Sequence, residues 1–151
     1  MMTEQQKILG WMRDNLSAAL LVNQLFEVSQ IADDFVDDDK PIDKSEAMTR
    51  LLTIALVEIP SGEFYRLNAG FLAPLLVSVI AAFNTSNKLK KNQDQDLQAM
   101  AWALRDSLEH VLTGCAYIVG GQAWAAQVSL EVTEYFRTNE DRESVADWNN
   151  S

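Results

Sequence analysis

The sequence is poor in the residues on which several common kinds of site depend. Its 151 residues include one cysteine, one histidine, three prolines and six glycines. A single cysteine excludes an internal disulfide and is usual in a reducing cytoplasm, and one histidine supplies only one of the three or four ligands of a zinc site. The sequence contains no glycine-rich phosphate loop, nucleophile elbow, CxxC pair or HExxH motif. The chemistries that those motifs carry are therefore excluded.

Basic residues are also scarce. Twelve lysines and arginines stand against twenty-two aspartates and glutamates, which gives a net charge of −10. Such a surface repels phosphate backbones and anionic membranes, so neither nucleic acid nor a membrane is expected as a partner. The first residues, Met1–Glu4, lack a basic segment followed by an apolar one, and a cytoplasmic location is expected. An acidic chain can also imitate DNA towards a basic protein, so a DNA mimic or inhibitor is one alternative function.

Hydrophobic residues make up 48% of the chain and recur at helical spacing. No segment alternates with the period of a strand between hairpin turns, so we predict an all-α fold, a single-domain bundle of about five or six helices. Residues 1–137 form the predicted helical domain, and 138–151 form a polar tail that is predicted to be partly frayed, apart from Val145 and Trp148, an apolar pair expected to dock back. The predicted helices cover 3–15, 16–38, 45–59, 71–88, 94–119 and 122–137. The first begins with a capping box at Thr3, and breaks are predicted at Ala69-Gly70 and Gly120-Gly121. The apolar side of the third predicted helix comprises Met48, Leu51, Leu52, Ile54, Ala55 and Val57.

The segment from Phe71 to Phe83 is apolar nearly all round. The run contains Pro74 and Ser78, and because a run of this length is typical of a core helix, we interpret it as a buried, central helix rather than a membrane span. A monomer of this size has little interior in which to hide such a helix. Three of the four tryptophans and two of the three tyrosines, residue types favoured at interfaces, lie in the C-terminal half. Together these features predict self-association as a homodimer, and leave room for another protein partner.

The most distinctive run is Asp33-Asp34-Phe35-Val36-Asp37-Asp38-Asp39, with five aspartates in seven residues. Carboxylates at i, i+3 and i+4 share one helix face and can hold a divalent cation. The candidate metal ligands are Asp33, Asp34, Asp37 and Asp38, with Glu27 as a possible addition and Mg²⁺ as the cation. These polar positions lie opposite the apolar stripe of the same helix, which is typical of a solvated face. We therefore favour carboxylates that point outward with nothing bound.

Asp33–Asp37 resembles the DDxxD motif of class I isoprenoid synthases, over about seven residues. Those all-α enzymes hold magnesium against a substrate diphosphate and use a second acidic motif, for which Asp106-Ser107-Leu108-Glu109-His110 is the nearest, differently spelled counterpart. Glu131-Val132-Thr133-Glu134 is similar to the ExxE pairs of nucleotide pyrophosphohydrolases. These resemblances imply a magnesium-dependent diphosphate-processing enzyme. From the residues alone, His110 with Asp106 and Glu109 is interpreted as an exposed or interface histidine rather than a base or ligand.

The general layout of residues 20–135 is similar to small bacteriophage or prophage helical proteins of unknown function. The similarity includes Ile31-Ala32-Asp33-Asp34 and Val57-Glu58-Ile59-Pro60. It implies a phage context and no particular activity. The sequence thus predicts a non-catalytic, acidic helical interaction or structural protein that acts as a homo-oligomer without a cofactor. The magnesium-dependent diphosphate enzyme and the DNA mimic are the two alternatives.

Overall fold

The computed structural model describes residues 1–37, 41–138 and 148. In these ranges the chain forms six helical stretches and no β-strand, so the predicted all-α bundle of five or six helices is confirmed. The chain divides into two compact units, Met1–Phe71 and Leu72–Ser151, and each is described by itself. A single domain over 1–137 followed by a tail stays a prediction.

Helix α1 (Glu4–Trp11) begins with the predicted capping box. The Thr3 hydroxyl accepts the Gln6 N–H at 3.1 Å, and the Gln6 side chain accepts the Thr3 N–H at 2.8 Å. These bonds satisfy two N–H groups that a helix start otherwise leaves unpaired. The helix ends earlier than predicted, because Arg13 and Asp14 adopt left-handed backbone angles, with φ of 51° and 62°. A turn therefore separates α1 from the next helix.

Helix α2 (Leu16–Asp37) starts where the Asn15 side chain accepts the Ala18 N–H at 3.0 Å. Its N-terminal half supplies part of the core of the first unit, because its buried residues all lie between Ala18 and Leu25. The Phe64 N–H donates to the Ser17 hydroxyl at 2.9 Å, which joins the start of a later helix to α2. The buried apolar residues of the first unit are Ile8, Trp11, Met12, Ala18, Ala19, Leu21, Val22, Leu25, Ile54, Ile59 and Phe64.

Helix α3 (Lys44–Thr53) starts one residue before the predicted position, because Asp43 caps it by accepting the Glu46 N–H at 3.1 Å. A π-helical turn (Ile54–Glu58) follows without a break, and a short helix α4 (Ile59–Ser61) ends at Gly62. Over this stretch only Ile54 and Ile59 are buried. Most of the apolar side predicted for this helix is exposed.

Helix α5 (Glu63–Leu89) is kinked at Asn68, where φ is −124°. The break that was predicted around Ala69-Gly70 is thus a kink one residue earlier. The second unit begins within this helix, and from 72 to 89 only Leu72 and Ser86 are buried. The prediction that the apolar segment lies buried at the centre of the fold is wrong for the single chain.

Helix α6 (Gln95–Leu104) is capped by Asp94, which accepts the N–H groups of Asp96 and Leu97. The single helix predicted over 94–119 is wrong, because a turn at 105–107 ends α6 and starts helix α7 (Leu108–Thr138). The Ser107 hydroxyl donates to the Leu104 carbonyl at 2.6 Å within this turn.

Helix α7 reverses direction at the predicted glycine pair. Gly121 has φ of 85° and ψ of −177°, a combination that is open essentially to glycine alone. The Thr133 hydroxyl donates to Glu109 at 3.1 Å although the residues are 24 positions apart. In a straight helix that separation would be about 36 Å, so the two halves lie side by side. Their buried residues are Val111, Leu112, Gly114, Cys115, Ala116, Ala125, Val128 and Val132.

Candidate functional site

The described aspartates of the acidic run occupy the last turns of α2. Asp33, Asp34 and Asp37 are all half-buried, and Asp34 accepts the Gln30 side-chain amide at 3.0 Å. The Oδ1 atom of Asp37 is shielded from solvent. These side chains are therefore neither fully exposed to solvent, as the sequence predicts, nor enclosed in a buried site. The predicted ligand Asp38 lies outside the described residues, as does Asp39.

The carboxylates of α2 meet no complementary acidic set in the part of the chain that the structure describes. There, no group of three or more histidine, cysteine, aspartate or glutamate side chains is placed to hold a metal ion. Mg²⁺ binding by Asp33, Asp34, Asp37 and Asp38 therefore stays a prediction, and so does the diphosphate chemistry that it would serve.

Glu27 is held by an arginine from the next helix. Both of its oxygens accept from Arg50, from Nε at 2.7 Å and from Nη2 at 3.0 Å. On its other side, Arg50 donates through Nη1 to Glu58. Because both oxygens of Glu27 accept from the guanidinium, a cation at this residue would have to share them with Arg50.

The π-helical turn explains how Arg50 reaches Glu58. Residues eight apart in an α-helix are about 80° out of alignment, since each residue turns the helix by about 100°. A π turn adds one residue, so the pair is related as residues seven apart would be, within about 20° of the same face. The extra residue in Ile54–Glu58 thereby places the second carboxylate over the guanidinium.

Arg50 and Glu27 each stabilise the charged form of the other. The hydrogen bond from Arg50 lowers the pKa of Glu27, and the hydrogen bonds to Glu27 and Glu58 raise the pKa of Arg50. About two fifths of the Arg50 side chain is exposed, so solvent screens the attraction. The cluster joins α2 to α3 through the Arg50 guanidinium. Sequence reasoning missed it, because 23 positions separate Glu27 from Arg50.

The predicted group of Asp106, Glu109 and His110 is divided between a turn and the start of α7. Asp106 is half-buried in the turn, and Glu109 accepts from Thr133 in the second half of α7. His110 is exposed, as the sequence indicated. Glu109 thus helps to hold the α7 hairpin together, a structural role.

An exposed apolar stripe lies on the second-unit part of α5. We name Pro74, Val77, Ile80 and Ala81 the α5 face; they lie within about 120° of the helix circumference and are all exposed. The exposed fractions of Val77 and Ile80 are 66% and 68%. Within the described ranges, α5 is the one helix long and apolar enough to cross a membrane by length and composition. Only 6% of its most apolar window, with a mean hydropathy of 1.7, is buried.

A second surface feature surrounds Trp148, whose docking was predicted and is confirmed. The side chain is only 2% exposed and clusters with Ala101 and Trp102 of α6 and with Leu89 at the end of α5. Lys90 Nζ lies 4.9 Å from the centroid of the Trp148 ring, and Arg105 Cζ lies 5.1 Å from it. Both distances are within the range of cation–π attraction. We name Leu89, Lys90, Ala101, Trp102 and Arg105 the Trp148 site. The other predicted tail contact, Val145, lies outside the described residues.

Comparison with protein-family models, with curated proteins and with solved structures finds no match for this chain. The similarities to phage proteins, isoprenoid synthases and nucleotide pyrophosphohydrolases therefore remain predictions from the sequence.

Proposed function

We propose that this protein is a non-catalytic helical interaction protein that acts as a homo-oligomer, with the α5 face as the contact between copies. The exposure of Val77 and Ile80 carries the proposal. Contiguous exposed apolar side chains are uncommon on monomers and mark surfaces that become covered. In water, covering a large aliphatic side chain contributes roughly 1.5–3 kcal/mol.

The distribution of charge supports a second copy of this chain as the partner. The chain carries a net charge of −10, so two copies repel each other over most of their surface. Residues 72–87 contain no ionisable side chain. The α5 face is therefore a surface through which two acidic copies can meet without bringing like charges together.

The same helix is less suited to a lipid bilayer. Ser78 is exposed beside the α5 face. Asn84 and Thr85, which are also exposed, lie one helical turn beyond Ile80 and Ala81. The net negative charge opposes approach to anionic headgroups. We accordingly place the protein in the cytoplasm as a component of a protein assembly that needs no cofactor, in keeping with the phage context that the sequence implies.

The test is to place charge on the α5 face. In the double variant Val77→Glu, Ile80→Glu, we expect the oligomer to dissociate, because four carboxylates would meet in each dimer contact. Sedimentation equilibrium should give the monomer mass of 16.9 kDa for the variant and a multiple of it for the natural chain. Circular dichroism should show unchanged helix content, since both positions are exposed.

A matched control adds the same two charges elsewhere. Ala126→Glu with Gln127→Glu, at exposed positions of α7, should leave the oligomer intact. A natural chain that sediments as a monomer, or a Val77→Glu, Ile80→Glu variant that stays oligomeric, would overturn the proposal. Flotation of a monomeric natural chain with neutral phosphatidylcholine vesicles would assign the α5 face to a membrane instead.

A further inference from the structure

We propose that the Trp148 site is an exchangeable binding site for an acidic segment bearing a tryptophan, and that its ligand in trans is the tail of a second copy. The proposal rests on the proposed self-association, which brings two copies together, but it uses different residues. The tail would then link copies by entering the neighbour's site, a form of segment exchange that is a low-cost route to oligomers.

The walls of the site are positioned without the tail. Buried Ser86 of α5 donates from its hydroxyl to the Ala101 carbonyl of α6 at 2.7 Å. A buried hydrogen bond of this kind fixes the two helices against each other, because breaking it would leave polar atoms unpaired in an apolar setting. Arg137 near the end of α7 stacks on Trp102, with Cζ 4.5 Å from the ring centroid. The site therefore persists when Trp148 leaves it.

The charge at the site suits the sequence that precedes Trp148. Lys90 and Arg105 face the ring in a chain that has only twelve basic residues. Residues 138–147 carry four carboxylates, from Glu140, Asp141, Glu143 and Asp147, against one arginine. An acidic segment is attracted by the two cations, whereas most of the remaining surface of the chain repels it. Charge thus directs the segment, and the indole ring anchors it.

Exchange sets a chain's own tail in competition with the tail of a neighbour. A tethered segment competes for its own site at an effective concentration on the order of millimolar. A neighbour's tail held nearby by the α5 contact competes on similar terms.

The experiment measures binding of a fluorescent peptide with the sequence of residues 138–151 to the full chain. The natural chain should bind it weakly, because its own tail occupies the site. A Trp148→Ala chain should bind it at least about tenfold more tightly, which is the competition removed by losing the tether. The same peptide carrying Trp148→Ala should not bind, and Lys90→Glu with Arg105→Glu in the Trp148→Ala chain should weaken binding.

Two further arms keep the result decisive. Trp148→Phe retains a ring in the site, so it should fold even where Trp148→Ala does not, and it should bind the peptide with an affinity between the other two chains. Each measurement is repeated with Val77→Glu and Ile80→Glu added, which disrupts only the proposed dimer contact.

Absence of saturable binding to folded Trp148→Ala or Trp148→Phe chains would overturn the exchangeable site, and so would binding that ignores the tryptophan in the peptide. Peptide binding that fails while the natural chain remains an oligomer counts against this site alone. Binding that persists when the α5 face is charged supports the site whatever the fate of the oligomer.

Discussion

Two apolar helical segments of the second unit differ sharply in burial. Residues 72–83 of α5 are exposed or half-buried apart from Leu72, whereas both halves of α7 bury apolar residues along their length. α7 reverses at Gly121, so each half lies beside the other and covers it. The α5 segment contains no such reversal. Hydrophobicity along a helix therefore does not establish burial, because a second surface must be brought against it.

The largest expected effect compares one large aliphatic side chain from each segment. Leu112→Ala should lower the free energy of unfolding by about 2–5 kcal/mol, because Leu112 is buried in α7 and its loss leaves a cavity. Ile80→Ala on α5 should change it by less than about 0.5 kcal/mol in the monomer. Urea unfolding at low protein concentration measures both. Equal losses would show that α5 is covered within the single chain.

The next effect concerns the reversal itself. Gly121→Ala should lower the free energy of unfolding by about 1–3 kcal/mol, because an added Cβ is strained at a φ of 85°. The matched control is Gly70→Ala in α5, where an added Cβ meets nothing within 4 Å and φ is not positive. That change should stabilise by up to about 1 kcal/mol, since alanine favours a helix. Thermal melting measures both changes. If Gly121→Ala left the melting temperature unchanged, α7 would not need the reversal.

The smallest expected effect is the pH dependence of stability that the buried thiol of Cys115 causes. Burial raises the pKa of Cys115 in α7 from its ordinary value of 9.0 to about 12. The neutral thiol therefore makes its full contribution to the free energy of unfolding below about pH 9. This contribution is lost as pH rises towards 12, because the Cys115 thiol ionises first in the unfolded chain. Residues 72–87 of α5 contain no ionisable side chain and add no such dependence.

Between about pH 8 and about pH 10, the natural chain should lose about 1 kcal/mol more stability than Cys115→Ala does. Urea unfolding at the two pH values provides the measurement, and the variant subtracts the titration of lysines and tyrosines common to both chains. Parallel losses in the two chains would mean that solvent reaches the thiol.

Features encoded within one helical turn were predictable from the sequence. The capping box at Thr3 occurs as predicted, and the helix break predicted at Gly120-Gly121 lies where α7 reverses, because each depends on the residues at that one turn. The turn at 105–107 was not predictable in the same way, since the apolar stripe from Leu97 to Cys115 continues across it with helical spacing. Trp148 was predicted to dock because it forms an apolar pair with Val145 in a polar tail, but its neighbours on α6 were not predicted.

Contacts between distant residues account for what could not be predicted. Arg50 joins Glu27 and Glu58 only because α3 lies beside α2 and a π turn shifts Glu58 into line. The candidate metal ligands could be named from their spacing, but whether an opposing acidic set faces them depends on the arrangement of other helices.

The sequence by itself determined that this chain is helical, where several of its helices begin and turn, and that it is strongly acidic. Those properties follow from local backbone preferences and from composition. Only the tertiary structure decided that the α7 segment is covered and the α5 segment exposed, and that Trp148 lies between two cations. Burial and pairing depend on which surfaces meet, and the spacing of residues along one helix carries no information about the surface opposite it.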